Sequence, residues 1–132
     1  IRQASLSEEE WNDLPLELQT RLIQSSKKSA QLSVVAHVDA RQLTFGKEQG
    51  LSVNGLTFVA VLFDRNGKYI TGQRQLVNLR LSDATLQDVL RSGFQVEALF
   101  DVAPGSYLVR EVVREAQGGQ MSALSRKVEI PD

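Results

Sequence analysis

The single histidine of this 132-residue chain, His37, stands two residues before Asp39. Residues two apart on a β-strand share a face, so this pair is the first candidate for proton transfer. A catalytic triad or a histidine-based metal site needs further partners in fixed positions, and one pair at this spacing does not supply them. We therefore interpret His37 as a hydrogen-bonded or exposed strand histidine and assign no catalytic or metal-binding residue.

Glu111 is the second candidate, because it stands among the alternating apolar residues Val109 and Val113 of a predicted strand. A carboxyl group that faced a core would have a raised pKa and could act as an acid. The alternative, which we favour, is that the strand end is open to solvent or that Arg110 or Arg114 pairs with the carboxylate. No second carboxylate is evidently placed to complete a glycosidase pair.

The segment Asp64-Arg65-Asn66-Gly67 has the beginning of a calcium-binding loop. Lys68, however, takes the place of the third oxygen ligand, and Gln75 stands where such a loop needs a glutamate. The same four residues favour a hairpin turn, because Asn and Gly tolerate the positive φ that tight turns require. We predict a turn here and no metal site.

The composition indicates an ordinary globular domain without a cofactor. The chain carries 15 basic and 16 acidic residues, and its short basic clusters, Lys27-Lys28 and Arg126-Lys127, contain no aromatic residue, which argues against nucleic acid as a partner. It lacks cysteine, so disulfides, thiolate metal sites and a cysteine nucleophile are excluded. No apolar run approaches the roughly 18 residues of a membrane span. Because the chain begins at Ile1, we interpret it as part of a longer protein.

We predict that residues 1–29 form a helical lead-in, which packs on the rest of the domain. Ser7 and Glu10 have the spacing of a capping box. Asp13 and Pro15 then look like a second helix start, with a cap followed by a proline in the first turn. Three leucines spaced at i, i+4 and i+8 continue this helix as one apolar stripe: Leu14, Leu18 and Leu22. Such a stripe could also dock on a partner helix.

We predict that residues 30–132 form a β-sandwich, because from residue 30 the spacing of apolar residues changes from a period of 3.6 residues to one of 2 residues. The continuous apolar run from Leu56 to Phe63 is typical of a central strand. On the return strand the apolar face changes between Ile70 and Val77, which predicts a bulge or a switch of sheet. Further strands are predicted over residues 94–102, 107–114 and 121–130.

Two local features refine this fold. One short helix interrupts the strands: Ser82 or Asp83 caps it, and Gly93 ends it. Tyr107 follows the turn at Pro104 at the start of the penultimate strand, where immunoglobulin-like sandwiches have a tyrosine corner. The predicted class is therefore all-β: an immunoglobulin- or fibronectin-III-like antiparallel sandwich with an N-terminal helical segment and one short helical insert.

Several strings of residues resemble the C-terminal region of VWFA-related proteins of Acidobacteria, in order and spacing, from about Asp13 to Pro131. The strings are Val38-Asp39, Leu43-Thr44-Phe45, Asn54-Gly55-Leu56-Thr57-Phe58-Val59, Leu62-Phe63-Asp64-Arg65-Asn66-Gly67, Leu81-Ser82-Asp83-Ala84-Thr85-Leu86 and Phe100-Asp101-Val102-Ala103-Pro104-Gly105-Ser106-Tyr107-Leu108-Val109-Arg110.

This resemblance implies that a von Willebrand factor A domain precedes the region and that the whole protein is exported to the periplasm, cell envelope or exterior. The Asp-x-Ser-x-Ser pattern of the A domain's adhesion site does not occur in this chain, so metal-dependent adhesion does not carry over. Glu111 departs from the resemblance, since an apolar residue is expected at that point of the penultimate strand.

Together these features predict a non-catalytic accessory or interaction module of a larger exported VWFA-related protein. Its expected partners are the neighbouring A domain, another protein or a second copy of the chain. One alternative is a carbohydrate- or protein-binding module that uses exposed aromatic residues, for which Tyr69 and Phe45 are candidates; Trp11 is better explained as a hydrophobic staple with Leu6. Another is self-association through an edge strand or the predicted helix. An enzyme would depend on His37, Asp39 and Glu111, whose spacing does not support one.

Overall fold

The computed structural model describes residues 11–12, 14–25 and 30–131. These residues form nine strands, one α-helix and a short 3-10 helix over Ala40–Gln42. In chain order the elements are β1 (Trp11–Asn12), β2 (Leu16–Ser25), β3 (Ala30–Val38), β4 (Gly46–Glu48), β5 (Leu51–Asp64), β6 (Tyr69–Leu81), α1 (Asp83–Ser92), β7 (Phe94–Val102), β8 (Gly105–Glu115) and β9 (Met121–Ile130).

The strands form two antiparallel sheets. The larger sheet has the order β1-β9-β8-β5-β4, with β6 also paired to β5, and the smaller has the order β2-β3-β7. Strand β5 is central, because it pairs with β6 over residues 52–63 and with β8 over residues 56–64. The mainly β architecture predicted for residues 30–132 is confirmed.

The main apolar core lies between the sheets, and alternation along the strands fills it. Strand β5 contributes every second residue from Leu56 to Leu62, and the smaller sheet contributes the alternating residues of β3 and β7. The buried residues of these three strands in the core are Leu56, Phe58, Ala60, Leu62, Ala30, Leu32, Val34, Ala36, Val38, Ala98, Phe100 and Val102.

The prediction of a helix that begins at Asp13 and Pro15 is wrong for residues 16–25, because these residues form strand β2. Strand β2 pairs with β3 from Leu16↔Val38 to Ser25↔Ala30. A spacing of four residues fits a period of 2 as well as one of 3.6, so the stripe of Leu14, Leu18 and Leu22 does not distinguish strand from helix. Leu16 does distinguish strand from helix, because it packs against the same core as Leu14 and Leu18. In an α-helix the side chain of Leu16 would point about 200° around the helix axis from that of Leu14, away from the core.

Pairing with β3 makes this part of the predicted lead-in a strand of the smaller sheet. The capping box at Ser7 and Glu10 and the staple partner Leu6 lie outside the described residues.

The turn predicted at Asp64-Arg65-Asn66-Gly67 is confirmed, since it joins β5 to β6. Asp64 N–H donates to Lys68 O at 2.9 Å, and the Asp64 side chain accepts from Asn66 N–H and Lys68 N–H. Of the four residues of this turn, only Gly67 has a positive φ, of 83°. Asn66 therefore contributes a polar side chain to the turn and does not adopt the left-handed conformation. The predicted irregularity of β6 is a bulge: the register shifts opposite Ile70, and the strand remains in one sheet.

The helical insert and the tyrosine corner are also confirmed. Ser82 caps α1 and accepts from Thr85 N–H, and Gly93 ends it with a φ of 68°. The Tyr107 hydroxyl donates to Ala103 O at 2.6 Å, which ties the start of β8 to the preceding turn. Within the described residues no helix is long and apolar enough to cross a membrane.

One side of the sandwich is closed by side chains that bridge the two sheets. Gln75 Nε2 of β6 donates to Glu97 O of β7 at 2.8 Å, and Gln73 Nε2 donates to Leu99 O in the same way. Strand β7 has β3 on its other side, so these amides satisfy backbone carbonyls at its outer edge. Occupied carbonyls are poor templates for pairing with another chain.

Candidate functional site

The structure places His37 and Asp39 at one end of the smaller sheet, in a depression of about 230 Å³ that Arg41 and Arg91 also line. His37 Nε2 lies 3.0 Å from Ser92 O, and its ring packs against Gly93, where a Cβ would meet His37 Cε1 at 2.8 Å. His37 is therefore a hydrogen-bonded strand histidine that fixes the end of α1.

Asp39 is engaged by its neighbour Arg41. The Asp39 carboxylate accepts from Arg41 N–H at 3.0 Å, where it caps the 3-10 helix, and forms an ion pair of 2.6 Å with the guanidinium. These hydrogen bonds lower the pKa of Asp39 to about 2. The carboxylate thus stabilises a turn and stays ionised at neutral pH.

Glu111 lies inside the sandwich, and the interpretation that solvent, Arg110 or Arg114 stabilises its charge is wrong. It is only 3% exposed, between Ala60 and Leu124 on the neighbouring strands. Arg110 donates to Ser125 Oγ at 2.8 Å, and residues adjacent along a strand point to opposite faces of the sheet. Burial raises the pKa of Glu111 to about 8, and its Oε2 has no hydrogen-bond partner.

A second buried glutamate, Glu115, anchors a polar network that the sequence analysis missed. Glu115 Oε1 accepts from Thr44 N–H at 2.8 Å and from Asn54 Nδ2 at 2.9 Å. Asn54 Nδ2 also donates to Thr44 O, and Asn54 Oδ1 accepts from Gly55 N–H and Gln117 N–H. The network joins the loop before β4, the start of β5 and the β8–β9 turn.

One signal in the sequence points to this network: Glu115 continues the alternation of Val109, Glu111 and Val113 into the core. The network holds the end of the sandwich rigid, because Glu115 Oε1 and both polar atoms of the Asn54 amide have hydrogen-bond partners.

A groove runs along the outer face of β5 and β6, and we call it the β5–β6 groove. It consists of two concavities, of about 460 Å³ and 360 Å³, that share Thr57 and Arg114. The residues that line it include Thr57, Val59, Val61, Tyr69, Gly72, Arg74, Leu76, Asn78 and Arg114.

The sequence candidate Tyr69 stands at one end of this groove and is 53% exposed. Its ring meets Phe63 edge to face, with centroids 6.4 Å apart, and its hydroxyl lies 3.1 Å from where a Cβ of Gly72 would be. The Tyr69 ring can therefore lie across the sheet, because Phe63 supports its edge and Gly72 has no side chain to block its hydroxyl. The other candidate, Phe45, is partly buried against the core. The side chain of Trp11 lies outside the described part of the chain.

A larger concavity, of about 700 Å³, lies at the smaller sheet. Its lining is mainly polar and carries Arg21 and Arg126 together with Glu97, which accepts from Ser33 Oγ at 2.5 Å. Among the described side chains that line it, none is aromatic. Stacking on a ring is therefore available in the β5–β6 groove and not here.

Comparison with known proteins gives matches among solved structures only. No family profile and no curated protein matches the chain. A glycosyl hydrolase family 2 member from Bacteroides cellulosilyticus is similar with a TM-score of 0.60 and 17% identity, over 91% of this chain and 15% of that one. A β-glucuronidase from Bacteroides uniformis is similar with a TM-score of 0.52 and 12% identity, over 86% of this chain and 13% of that one.

At these identities the likeness shows the fold alone. The chain spans about one seventh of the length of these two proteins, so the similarity is to one β-sandwich region within a much longer chain. The protein therefore has a β-sandwich fold similar to that of a region of glycosyl hydrolase family 2 proteins.

Proposed function

We propose that this protein is a non-catalytic accessory module that binds a ligand or partner through the β5–β6 groove. The observation that carries the proposal is the exposure of Tyr69 and Leu76, at 53% and 65%, on the face that also presents Arg74 and Arg114. Large apolar side chains that stay exposed together beside charged groups are typical of interaction sites.

The surroundings of the candidate catalytic groups support the same proposal. Asp39 is paired with Arg41, His37 is bonded to the end of α1, and Glu111 faces the core. His37 and Asp39 are held by structural partners, and Glu111 lies in the core, apart from the depression that these two residues line. Proteins with similar sandwich regions are several times longer than this chain, which fits a module that serves other domains.

The finer fold subtype and the context are part of the proposal. The order β2-β3-β7 against β6-β5-β8-β9 and the corner at Tyr107 support an immunoglobulin- or fibronectin-III-like subtype. The resemblance to VWFA-related proteins supports a neighbouring A domain and export to the cell envelope. The longer reading frame that contains these residues tests both parts of the context, because it should encode an A domain and an export signal.

The non-catalytic role is tested with the chain itself. We expect it to hydrolyse none of a panel of aryl glycosides and esters. A turnover that disappears in His37→Ala or Asp39→Asn would contradict the proposal, because those substitutions remove the two candidate proton-transfer groups that share the depression at α1.

The interaction role is tested in the longer protein by its retention on cell-envelope fragments. Leu76→Asp should reduce retention strongly, because it places a charge in the groove. Leu99→Asp is the matched control, since Leu99 is 40% exposed but lies on β7, outside the groove. Equal retention of both variants and the unchanged protein would contradict an interaction role for the groove.

A further inference from the structure

The β5–β6 groove has the dimensions of a site for an extended ligand. Its two concavities are neighbours, with Thr57 and Arg114 lining both, and together they follow β6 from Tyr69 to Asn78. At about 3.3 Å per residue this stretch is roughly 25–30 Å long. The volume of about 460 Å³ around Tyr69 is within the roughly 300–1,000 Å³ of small-ligand sites.

The two ends of the groove differ in chemistry. Tyr69 provides an exposed ring at one end, whereas Asn78 provides an exposed amide at the other. Between them Val59 and Val61 form an apolar floor, and the exposed side chain of Leu76 stands beside it. A ligand that fits must therefore present an apolar face to the ring and polar groups along its length.

The exposed charges of the groove are positive, because its one acidic lining residue in the described part of the chain, Glu115, is buried. Arg74 and Arg114 are both exposed, and none of the ion pairs found in the described part of the chain uses either of them. Both line the concavity that holds Tyr69. A guanidinium pairs well with carboxylates, so charge complementarity requires an anionic ligand.

The backbone beneath the groove decides between a peptide and a saccharide. Thr57, Val59 and Val61 pair with β6 on one side and with β8 on the other, so β5 has no free edge. An extended peptide that binds a sheet by strand addition needs such an edge; β6, which pairs only with β5 among the described residues, has one, but a strand added there would lie beside the groove and not in it. Recognition in this groove must come from side chains, through stacking and carboxylate contacts.

We propose that the β5–β6 groove binds an acidic oligosaccharide, a chain of carboxylate-bearing sugar rings. Tyr69 stacks on the C–H face of one ring, Arg74 and Arg114 pair with carboxylates of successive rings, and Asn78 bonds a hydroxyl. The inference rests on the proposed interaction role of the same groove and names its ligand class.

Calorimetric titration of the full chain tests the proposal with an oligogalacturonate. We expect measurable binding that weakens as salt is added, because the contacts include exposed charges. The methyl-esterified oligogalacturonate is the matched ligand, since it has the same rings without the charge, and it should bind at least about tenfold more weakly. Equal affinity for the two forms would overturn the acidic specificity.

Three single variants locate the site. Tyr69→Ala and Arg74→Ala should each weaken binding by about tenfold or more, as truncation of a central contact does. Arg65→Ala is the control, because Arg65 is an exposed arginine in the β5–β6 turn and does not line the groove. A loss in Arg65→Ala equal to that in Arg74→Ala would overturn the proposal, since it would show attraction to net positive charge alone.

A polyglutamate peptide distinguishes the second class of acidic ligand. We expect it to bind weakly and to be insensitive to Tyr69→Ala; binding as tight as that of oligogalacturonate would overturn the saccharide proposal. If oligogalacturonate does not bind but retention of the longer protein still depends on Leu76, the ligand class is wrong and the interaction module stands. If neither effect is seen, the proposed function fails as well.

Discussion

Two glutamates four residues apart on β8 occupy opposite surroundings within one core. Glu115, at the end of the sandwich, accepts from Thr44 N–H and Asn54 Nδ2. Glu111, near the middle, lies between Ala60 and Leu124 with its Oε2 unpartnered. A protein can bury a carboxyl group by supplying donors or by retaining its proton, and this strand does both.

The difference lies in what the neighbouring elements offer. Around Glu115 the chain turns, and turns leave backbone N–H groups free to donate. Around Glu111 the neighbours are ladder-paired strands whose N–H and C=O groups already bond one another. The free energy of unfolding should therefore respond to the two positions in opposite directions.

Removal of the satisfied glutamate should have the largest effect. Glu115→Ala removes the acceptor of Thr44 N–H and one of the two acceptors of Asn54 Nδ2, and it opens a cavity in the core, so we expect a loss of about 4 kcal/mol in the free energy of unfolding. Urea denaturation measures this loss. Glu115→Gln retains an acceptor oxygen and should lose less, whereas a loss below about 1 kcal/mol in Glu115→Ala would show that the network is not structural.

Neutralisation of the unsatisfied glutamate should stabilise the protein, in a manner that depends on pH. Because the pKa of Glu111 is raised to about 8 from 4.5, the folded state retains a proton that the unfolded state releases between those values. The free energy of unfolding therefore falls as pH rises through this window, by up to about 1.4 kcal/mol per pH unit. Below pH 4.5 the group is protonated in both states and this contribution vanishes.

We expect Glu111→Gln to remove this dependence. The variant should match the unchanged protein at about pH 4 and exceed its stability by about 3 kcal/mol at pH 7. Denaturation curves across the window measure the difference. Parallel stability profiles for the two proteins would contradict a raised pKa at this position.

A methyl group at Gly118 tests how tightly the Glu115 network is packed. A Cβ there would meet Glu115 Oε2 at 2.6 Å and Thr44 Oγ1 at 2.7 Å, so Gly118→Ala must displace one of them. We expect a loss of about 2 kcal/mol, as in other overpacked sites. In the Glu115→Ala background the loss should shrink, and a double-mutant cycle from urea denaturation measures that coupling. Strict additivity would contradict contact between the two positions.

The partly exposed carboxylate of Asp39 completes the comparison with the smallest effect on stability. Hydrogen bonds from Arg41 lower its pKa to about 2, so its contribution to folding is present at neutral pH and is lost only as pH falls towards that value. In Arg41→Gln the pKa of Asp39 should rise towards its usual range, with little change in unfolding at pH 7. NMR titration of the carboxyl carbon measures the pKa, and an unchanged value would exclude Arg41 as the cause.

Local chemistry made several elements predictable from the sequence. The turn at Asp64 to Gly67, the cap at Ser82 and the helix end at Gly93 depend on residues within a few positions of one another. The hydrogen bond of Tyr107 to Ala103 spans four residues. Tyr69 could be proposed as a binding residue because its type and position favoured exposure, and it is exposed.

Other features could not be predicted because they depend on partners far along the chain. Strand β2 was predicted as helix, since a four-residue spacing of leucines satisfies both periods until β3 pairs with it. Glu111 is buried where β8 pairs with β5, opposite Ala60, which is 51 positions away along the chain. The residues next to Glu111 in the sequence do not distinguish this buried position from a strand end open to solvent. Arg74 and Arg114 likewise share a groove only because β5 brings β6 and β8 together.

The sequence by itself determined the β-rich class, the turns, the helix α1 and the tyrosine corner, because backbone conformation and short-range hydrogen bonds decide these features. Tertiary structure alone decided which sheet β2 joins, which carboxyl groups lose their water and where a continuous groove opens. Those outcomes depend on strand pairing over tens of residues, and the energy of each contact there arises only when both partners are in place.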